Sequence, residues 1–185
     1  FLTAFRAAGA IGVVEEGALF AAEEVSGGIF SLPRRWDFAS APHSRAVSLN
    51  PNEIRFSQDS VSYLKQRPGQ ASYTLDDLST SMHTQGWKGD PVDVVRLPDG
   101  TYSSIDNTRI LAARGARIDV QANVRAYNER LPESMLDRFE HPKVPGGYAQ
   151  TWGEALEYRI LRQNKTFQSN NYPAGTYQDP IVNYN

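Results

Sequence analysis

Hydrophobic and polar positions fall into regular order from about residue 49 onward. Asn50-Pro-Asn-Glu-Ile-Arg-Phe56 alternates toward Ile54 and Phe56, which predicts a short strand near 53–56. Thr74-Leu75-Asp76-Asp77 sets a hydroxyl three residues before a carboxylate, a variant of the capping box. Leu75, Leu78 and Met82 then recur at helical spacing before Gly86, so a helix is expected over 75–85. Residues 92–97 and 101–105 flank Asp99-Gly100 as the arms of a β-hairpin. Asn107 to Arg114 reads as a short helix closed by Gly115, and residues 118–126 alternate as a half-buried strand. Leu131 to Phe139 is a weak helix, and His141 to Gln150, with two Pro and two Gly, is a loop. Thr151-Trp152-Gly153-Glu154 repeats the capping-box pattern and opens a helix expected to reach about Gln163. The turn-rich remainder reads as an irregular surface tail. The order is strand, helix, hairpin, helix, strand and a helical end, an α+β arrangement around one small mixed sheet without internal repeats.

The first 48 residues follow another pattern. Residues 1–31 are rich in Ala and Gly with paired glutamates (Glu15, Glu16, Glu23, Glu24), which gives an amphipathic helical lead-in broken near Gly9 and Gly27-Gly28. Glu15 and Glu16 interrupt what would be the apolar stretch of a signal peptide. A packing helix is the plainer reading of this lead-in and a membrane-active segment the other. The chain begins at Phe1 rather than Met and reads as a piece of something longer. From Ser31 to Ser48 the text is an irregular connector rich in Pro, Arg and Ser. The expected division is therefore 1–48 as lead-in and connector and 49–185 as the compact domain.

Composition narrows the chemistry. The absence of Cys removes disulfides, thiolate metal sites and cysteine nucleophiles, and His43, His83 and His141 are too scattered in sequence to suggest a zinc site. No apolar run approaches the ~18 residues of a membrane span. A formal charge of −2 argues against a wholly basic nucleic-acid binder, yet residues 109–165 carry ten Lys and Arg against seven Asp and Glu. Any cationic face should include that stretch.

Leu49 to about Tyr127 resembles the ParB/sulfiredoxin-like fold in its opening strand phrase, the helix phrase from Thr74 to Gly86, the Pro91–Arg96 strand and the run Ser104-Ile-Asp-Asn-Thr-Arg-Ile-Leu-Ala-Ala113. In that family the strand-to-helix turn carries a Gly/His/Arg signature that holds phosphate; here the glycine is missing and Asp106-Asn107-Thr108-Arg109 stands instead. The DNTR phrase, the downstream TWGEALEYRILRQ and the tail also resemble C-terminal toxin domains of bacterial polymorphic toxins such as Rhs-type secreted effectors. The resemblance implies a larger effector polypeptide as carrier, a cognate immunity protein, secretion by a bacterial delivery system and action in the target-cell cytoplasm.

The residues allow two readings at each position. A helix N-terminus carries about half a positive charge, so Arg109 in a first turn is mildly unfavourable unless an anion sits there. Backbone N–H groups from Asn107 onward, the Thr108 hydroxyl and the Arg109 fork would make a phosphate cradle, with Ser104 on the same turn. Alternatively Arg109 pairs with Asp106, and Asp106 is the N-cap. As a site residue, Asp106 would hold a divalent cation such as Mg²⁺ or orient an attacking water. Glu154 is either the capping partner of Thr151 or a second catalytic carboxylate. Arg159 and Gln163, spaced i, i+4, form a polar strip that becomes a site candidate only through the resemblance. His83 is either a cap or a base reaching the cleft. Phe167, Tyr172, Tyr177 and Tyr184 either stack on bases or fasten the tail to the core.

Three classes follow. The first is a nuclease toxin cleaving DNA or RNA, with Asp106, Arg109, Glu154 and Arg159 as catalytic candidates. The second is a phosphotransferase or nucleotide hydrolase using ATP or CTP, as the fold resemblance implies. The third, a non-catalytic DNA-binding module, is disfavoured by the acidic balance and by the lack of a recognition-helix pair.

Overall fold

A computed structural model describes residues 46–66 and 71–184. The expected lead-in, most of the connector and His43 lie outside the described residues. In chain order the elements are β1 (Val47–Leu49), β2 (Ile54–Phe56), β3 (Ser60–Ser62), β4 (Leu64–Lys65), β5 (Tyr73–Thr74), α1 (Leu75–Gln85), β6 (Val92–Arg96), β7 (Tyr102–Ser104), α2 (Asn107–Ala116), β8 (Val120–Ala126), α3 (Trp152–Leu161), α4 (Lys165–Asn171) and β9 (Ile181–Asn183). Short 3-10 turns occupy Pro51–Glu53 and Glu133–Arg138.

The fold is a mixed α+β arrangement built on a five-stranded sheet ordered β1-β8-β6-β7-β2. The hairpin at Asp99-Gly100 pairs β6 with β7, Val94 opposite Ser104 and Arg96 opposite Tyr102. β8 runs parallel to β6, and β2 runs parallel to β7 with Phe56 beside Ser104. The carboxyl ends of β2 and β7 therefore lie side by side, where crevices form in open sheets with parallel strands.

Alternation along β6 sorts two cores onto the two faces. Val92 and Val94 join Ile54, Phe56, Val120 and the inner faces of α1 and α2. Val95 and Leu97 join Leu131, Phe139 and the Trp152, Ala155, Leu156, Ile160 stripe of α3. At about 25 cal/mol per Å² of apolar area, each set contributes through area removed from water, and the sheet is the shared wall.

Helix starts follow their caps. Thr74 Oγ1 accepts from the Asp77 N–H at 3.1 Å while Asp77 Oδ2 accepts from the Thr74 N–H at 2.9 Å, a closed capping box. The bonds that Asp77 Oδ2 accepts from the Thr74 N–H and hydroxyl hold its carboxyl below its usual range. Thr151 Oγ1 caps α3 through the Glu154 N–H at 3.2 Å.

Several elements depart from the sequence expectation. The weak helix is the 3-10 turn 133–138, and β1 adds a fifth strand to the sheet. The expected irregular tail instead contains α4 and β9, and β9 pairs with β3. Arg114 ties this tail down: its guanidinium donates to the carbonyls of Pro51, Ile54 and Tyr177, pairs with Asp179 at 2.7 Å and lies over the Phe56 ring.

Gly175 marks the tightest approach of the tail. Its φ is +84°, and a Cβ there would stand 2.3 Å from the Phe56 carbonyl oxygen. Gly175→Ala should therefore lower stability by about 2 kcal/mol or more, from the left-handed backbone and a clash with backbone that cannot yield. Chemical denaturation compared with the exposed Gly89→Ala, where no neighbour lies within 4 Å, separates the clash from the cost of φ alone.

Candidate anion site

The carboxyl ends of β2 and β7 are joined by one buried side chain. Asn107, 1% exposed, opens α2 with its amide turned inward. Its Oδ1 accepts from the Ser57 N–H at 2.8 Å, and its Nδ2 donates to Ser57 Oγ and Gln58 Oε1, each at 3.0 Å. Ser57 Oγ in turn donates to the Ser104 carbonyl at 2.7 Å. Asn107 thus acts as a pin, and only its backbone N–H remains for a ligand. Ser104 is fully buried, its Oγ accepting from the Asp106 N–H at 2.9 Å, so it shapes the turn rather than facing the cleft.

Asp106 is the N-cap of α2, with Oδ1 accepting from the Arg109 N–H at 3.2 Å. Its Oδ2 pairs with Arg109 Nε at 2.6 Å, while Arg109 Nη1 donates to the Asp90 carbonyl at 2.6 Å and the guanidinium lies over Trp87. The Asp106–Arg109 pairing weighed from the sequence is therefore present. It satisfies Nε of Arg109 while the Asp90 carbonyl satisfies Nη1, and the Asn107 and Thr108 N–H groups at the helix start have no intrahelical acceptors.

Facing this helix start across a cavity of about 220 Å³ are Arg138, Arg159 and Gln58, with Asp93 on the wall. A second cavity of about 230 Å³ shares those three residues and adds Arg162, Gln163 and Tyr158. Arg159 is the unusual group. One arm, Nη2, donates to Gln58 Oε1 at 2.8 Å, and its buried Nε has no hydrogen-bond partner among the described residues. None of the ion pairs among the described residues involves Arg138, Arg159 or Arg162. Burial first, then the neighbouring Arg138, push the Arg159 guanidinium down to about 10, with Asp106 opposing and Arg162 adding to the shift. At neutral pH it is still a cation, desolvated and facing other cations, and that arrangement is costly until an anion enters. Lys65 is also lowered by burial, offset by the charge of Asp106.

By contrast, Arg125 is neutralised by Asp93 at 2.9 Å and Glu129 at 3.2 Å and lies over the Trp152 ring. The two carboxylates on the first cavity, Asp93 and Asp106, are the residues that could hold a cation, and each already faces an arginine. Among the described residues no group of three or more His, Asp and Glu is assembled around a common point.

The structure brings Asp106, Asn107, Thr108, Arg109 and Arg159 together, with Gln163 on the adjoining cavity. It does not bring Glu154 or His83 to them. Glu154 Oε2 accepts from the Gln150 N–H at 2.6 Å, one residue before the expected capping partner, and lines neither cavity. His83 is exposed and its Nδ1 lies 3.3 Å from the Ala116 carbonyl, at the far end of α2, some ~15 Å of helix away. Arg138 and Gln58 were not anticipated. Arg138 lies in an irregular turn with no periodic signal. The tail aromatics fasten the tail: Phe167 is buried, Tyr172 donates to Glu157 at 2.7 Å, Arg55 lies over Tyr177 and Tyr184 packs on Tyr63. Glu157 also accepts from Tyr127; burial and then this bond raise the Tyr127 hydroxyl, while the Glu157 bond and then burial push Tyr172 up to about 12.

Comparison with protein-family models, curated proteins and solved structures returns no match.

If the cleft is built for an anion, Arg159→Met should leave thermal stability unchanged or raise it by about 2–4 °C, roughly 1 kcal/mol in a chain of this size, because an uncompensated cation is removed. The same change should abolish the rise in melting temperature that inorganic phosphate gives the unaltered chain, measured at constant ionic strength. A drop of several degrees with the phosphate response intact would make Arg159 structural.

Proposed function

We propose that this chain is an enzyme acting on phosphate esters, and that the reaction is cleavage of nucleic-acid phosphodiesters by a toxin domain. The observation that carries the reading is Arg159, a buried guanidinium with an orphaned Nε that looks across a cavity at the start of α2. A phosphate there would accept from Arg159, Arg138 and the Asn107 and Thr108 N–H groups, and would replace the missing counter-charge.

Cleavage adds charge to the phosphoryl oxygens as water attacks in line and the ester oxygen leaves with the electron pair of the broken bond. Arg159 would neutralise that charge with little reorganisation, because burial has already stripped most of its water, and the exposed Arg138 would add a second positive charge. Asp106, held by Arg109, is the carboxylate closest in sequence and space to the cradle and would orient the attacking water; a Mg²⁺ ion on Asp106 or Asp93 would polarise it. The ParB/sulfiredoxin-like topology, the Rhs-type carrier, the immunity partner and delivery into a target cell enter this proposal from the sequence resemblance alone. A second reading, nucleotide hydrolysis or phosphotransfer, is favoured by the two adjoining cavities that share Arg138 and Arg159, since neighbouring anionic groups of one polyphosphate would occupy both.

Incubation of the chain with single- and double-stranded DNA, RNA and nucleoside triphosphates, with Mg²⁺ or EDTA, decides among these. Nucleic-acid cleavage is expected, reduced by about 10²-fold or more in Arg159→Lys, which keeps the charge but loses the fork. Glu154→Gln should be within about twofold of the unaltered chain, since its bond to Gln150 survives the change. Gln58→Glu provides a sharper check: a carboxylate 2.8 Å from Arg159 Nη2 would fill the charge vacancy internally and should abolish activity while leaving the fold intact. Full turnover in Arg159→Lys and Gln58→Glu together would remove the cleft from the mechanism.

A further inference from the structure

Gln58 lines a third cavity in addition to the two arginine-walled ones. This cavity is larger, about 500 Å³, within the 300–1,000 Å³ typical of small-molecule sites. It opens between α4, the 58–59 turn and the Thr176–Ile181 segment. Its chemistry is the opposite of the cleft's. Among the described residues no Lys or Arg lines it, and its polar walls are amides and hydroxyls, among them Asn164, Asn170, Asn171, Gln178 and Thr166. The two carboxylates present are committed, Asp179 to Arg114 and Asp59 to the side-chain amide of Asn164. They still repel an anion, so a phosphate would be sorted to the arginine side of Gln58 and a neutral group to this side.

Its buried apolar lining is Phe167 and Pro180, with the exposed Ile181 beside them. In the same cavity, the amides of Asn170 and Gln178 have no side-chain hydrogen-bond partner among the described residues, and Gln58 Nε2 is likewise unengaged because only its Oε1 is taken by Asn107 and Arg159. A side-chain amide offers a donor beside an acceptor, the pattern that matches the hydrogen-bonding edge of a nucleobase, and an apolar lining suits its faces.

We propose that this cavity is a nucleoside subsite, which takes the base and sugar attached to the phosphate held in the arginine cleft. The inference rests on the phosphate reading of that cleft and adds that base preference originates here, in Asn170 and Gln178, rather than among the arginines.

Calorimetric titration of the full chain tests it, with the four ribonucleoside 5′-monophosphates, the four free nucleosides and ribose 5-phosphate as probes. At least one monophosphate should bind about tenfold more tightly than ribose 5-phosphate, the size of one good amide-to-base pairing. In an Asn170→Ala/Gln178→Ala double variant that increment should vanish, with ribose 5-phosphate affinity held within about twofold. Both positions are exposed, and an unchanged melting temperature would show that the fold is kept. Equal affinity for nucleotides and ribose 5-phosphate in the unaltered chain, or a base increment that survives the double variant, overturns the nucleoside subsite. Ribose 5-phosphate binding that is lost in Arg159→Met but shows no base increment keeps the cleft and removes this cavity. A free nucleoside that binds through Asn170 with no gain from phosphate removes the cleft and the link between the two. Absence of binding by every probe removes both.

Discussion

One buried amide fixes the geometry on which the rest of this molecule depends. Asn107 spends its acceptor on the Ser57 backbone and both donors on Ser57 and Gln58. A buried amide left unsatisfied costs about 1–3 kcal/mol, so these three bonds leave the two strand ends little freedom to slide. The consequences run outward in order. The pin presents the first turn of α2 beside the end of β2. It holds Gln58 Oε1 where Arg159 donates to it, and it places the first residues of α2 on the wall of the cavity that Arg138 and Arg159 also line. A Leu of similar size could fill the volume but would strand the Ser57 N–H in a dry interior.

The arginines divide into two groups by what faces them. Arg109, Arg114 and Arg125 each meet a carboxylate, and each also rests on an aromatic ring. These are structural cations: Arg114 joins the tail to α2 and to the carbonyls around Pro51 and Ile54, and Arg125 bridges β8 to Asp93 on β6. Arg138, Arg159 and Arg162 meet none of the described carboxylates within ion-pair distance, although the chain as a whole has an acidic excess. Arg138 and Arg162 are exposed and water can solvate them, so the one cation that is both largely buried and without an ion pair among the described residues is Arg159, where the two cavities meet. In the proposed anion site, stability given up at Arg159 in exchange for a cleft organised before its ligand arrives would be the usual relation between preorganisation and function.

How much of this was legible in the sequence depends on the range of the interaction concerned. The hairpin, α1, α2, α3 and β8 were legible because caps, an Asp-Gly turn and alternation are local signals within a few residues. The three-residue strands β1 and β9 were not, since each exists only through its partner, β8 or β3, and carries too few residues for a period. The Asp106-to-Arg109 turn could be found from its helix start, but the inward turn of Asn107 is set by Ser57, 50 residues away. Arg159 did leave a trace. It lies seven residues after Trp152 and three after Leu156, on the buried stripe of α3, where a charged residue breaks the apolar pattern. Read only as an i, i+4 partner of Gln163, it looks like part of a solvated strip. Arg138 left no comparable signal.

The span between Gln58 and Arg159, 101 residues bridged by a single hydrogen bond, also sets a clock. Chains emerge from the ribosome at about 5–20 residues per second, so roughly 5–20 s separate the synthesis of the two halves of the cleft. Until α3 is made, the strand end and the start of α2 have no Arg159 to face them, so the cleft described above is completed only after that interval.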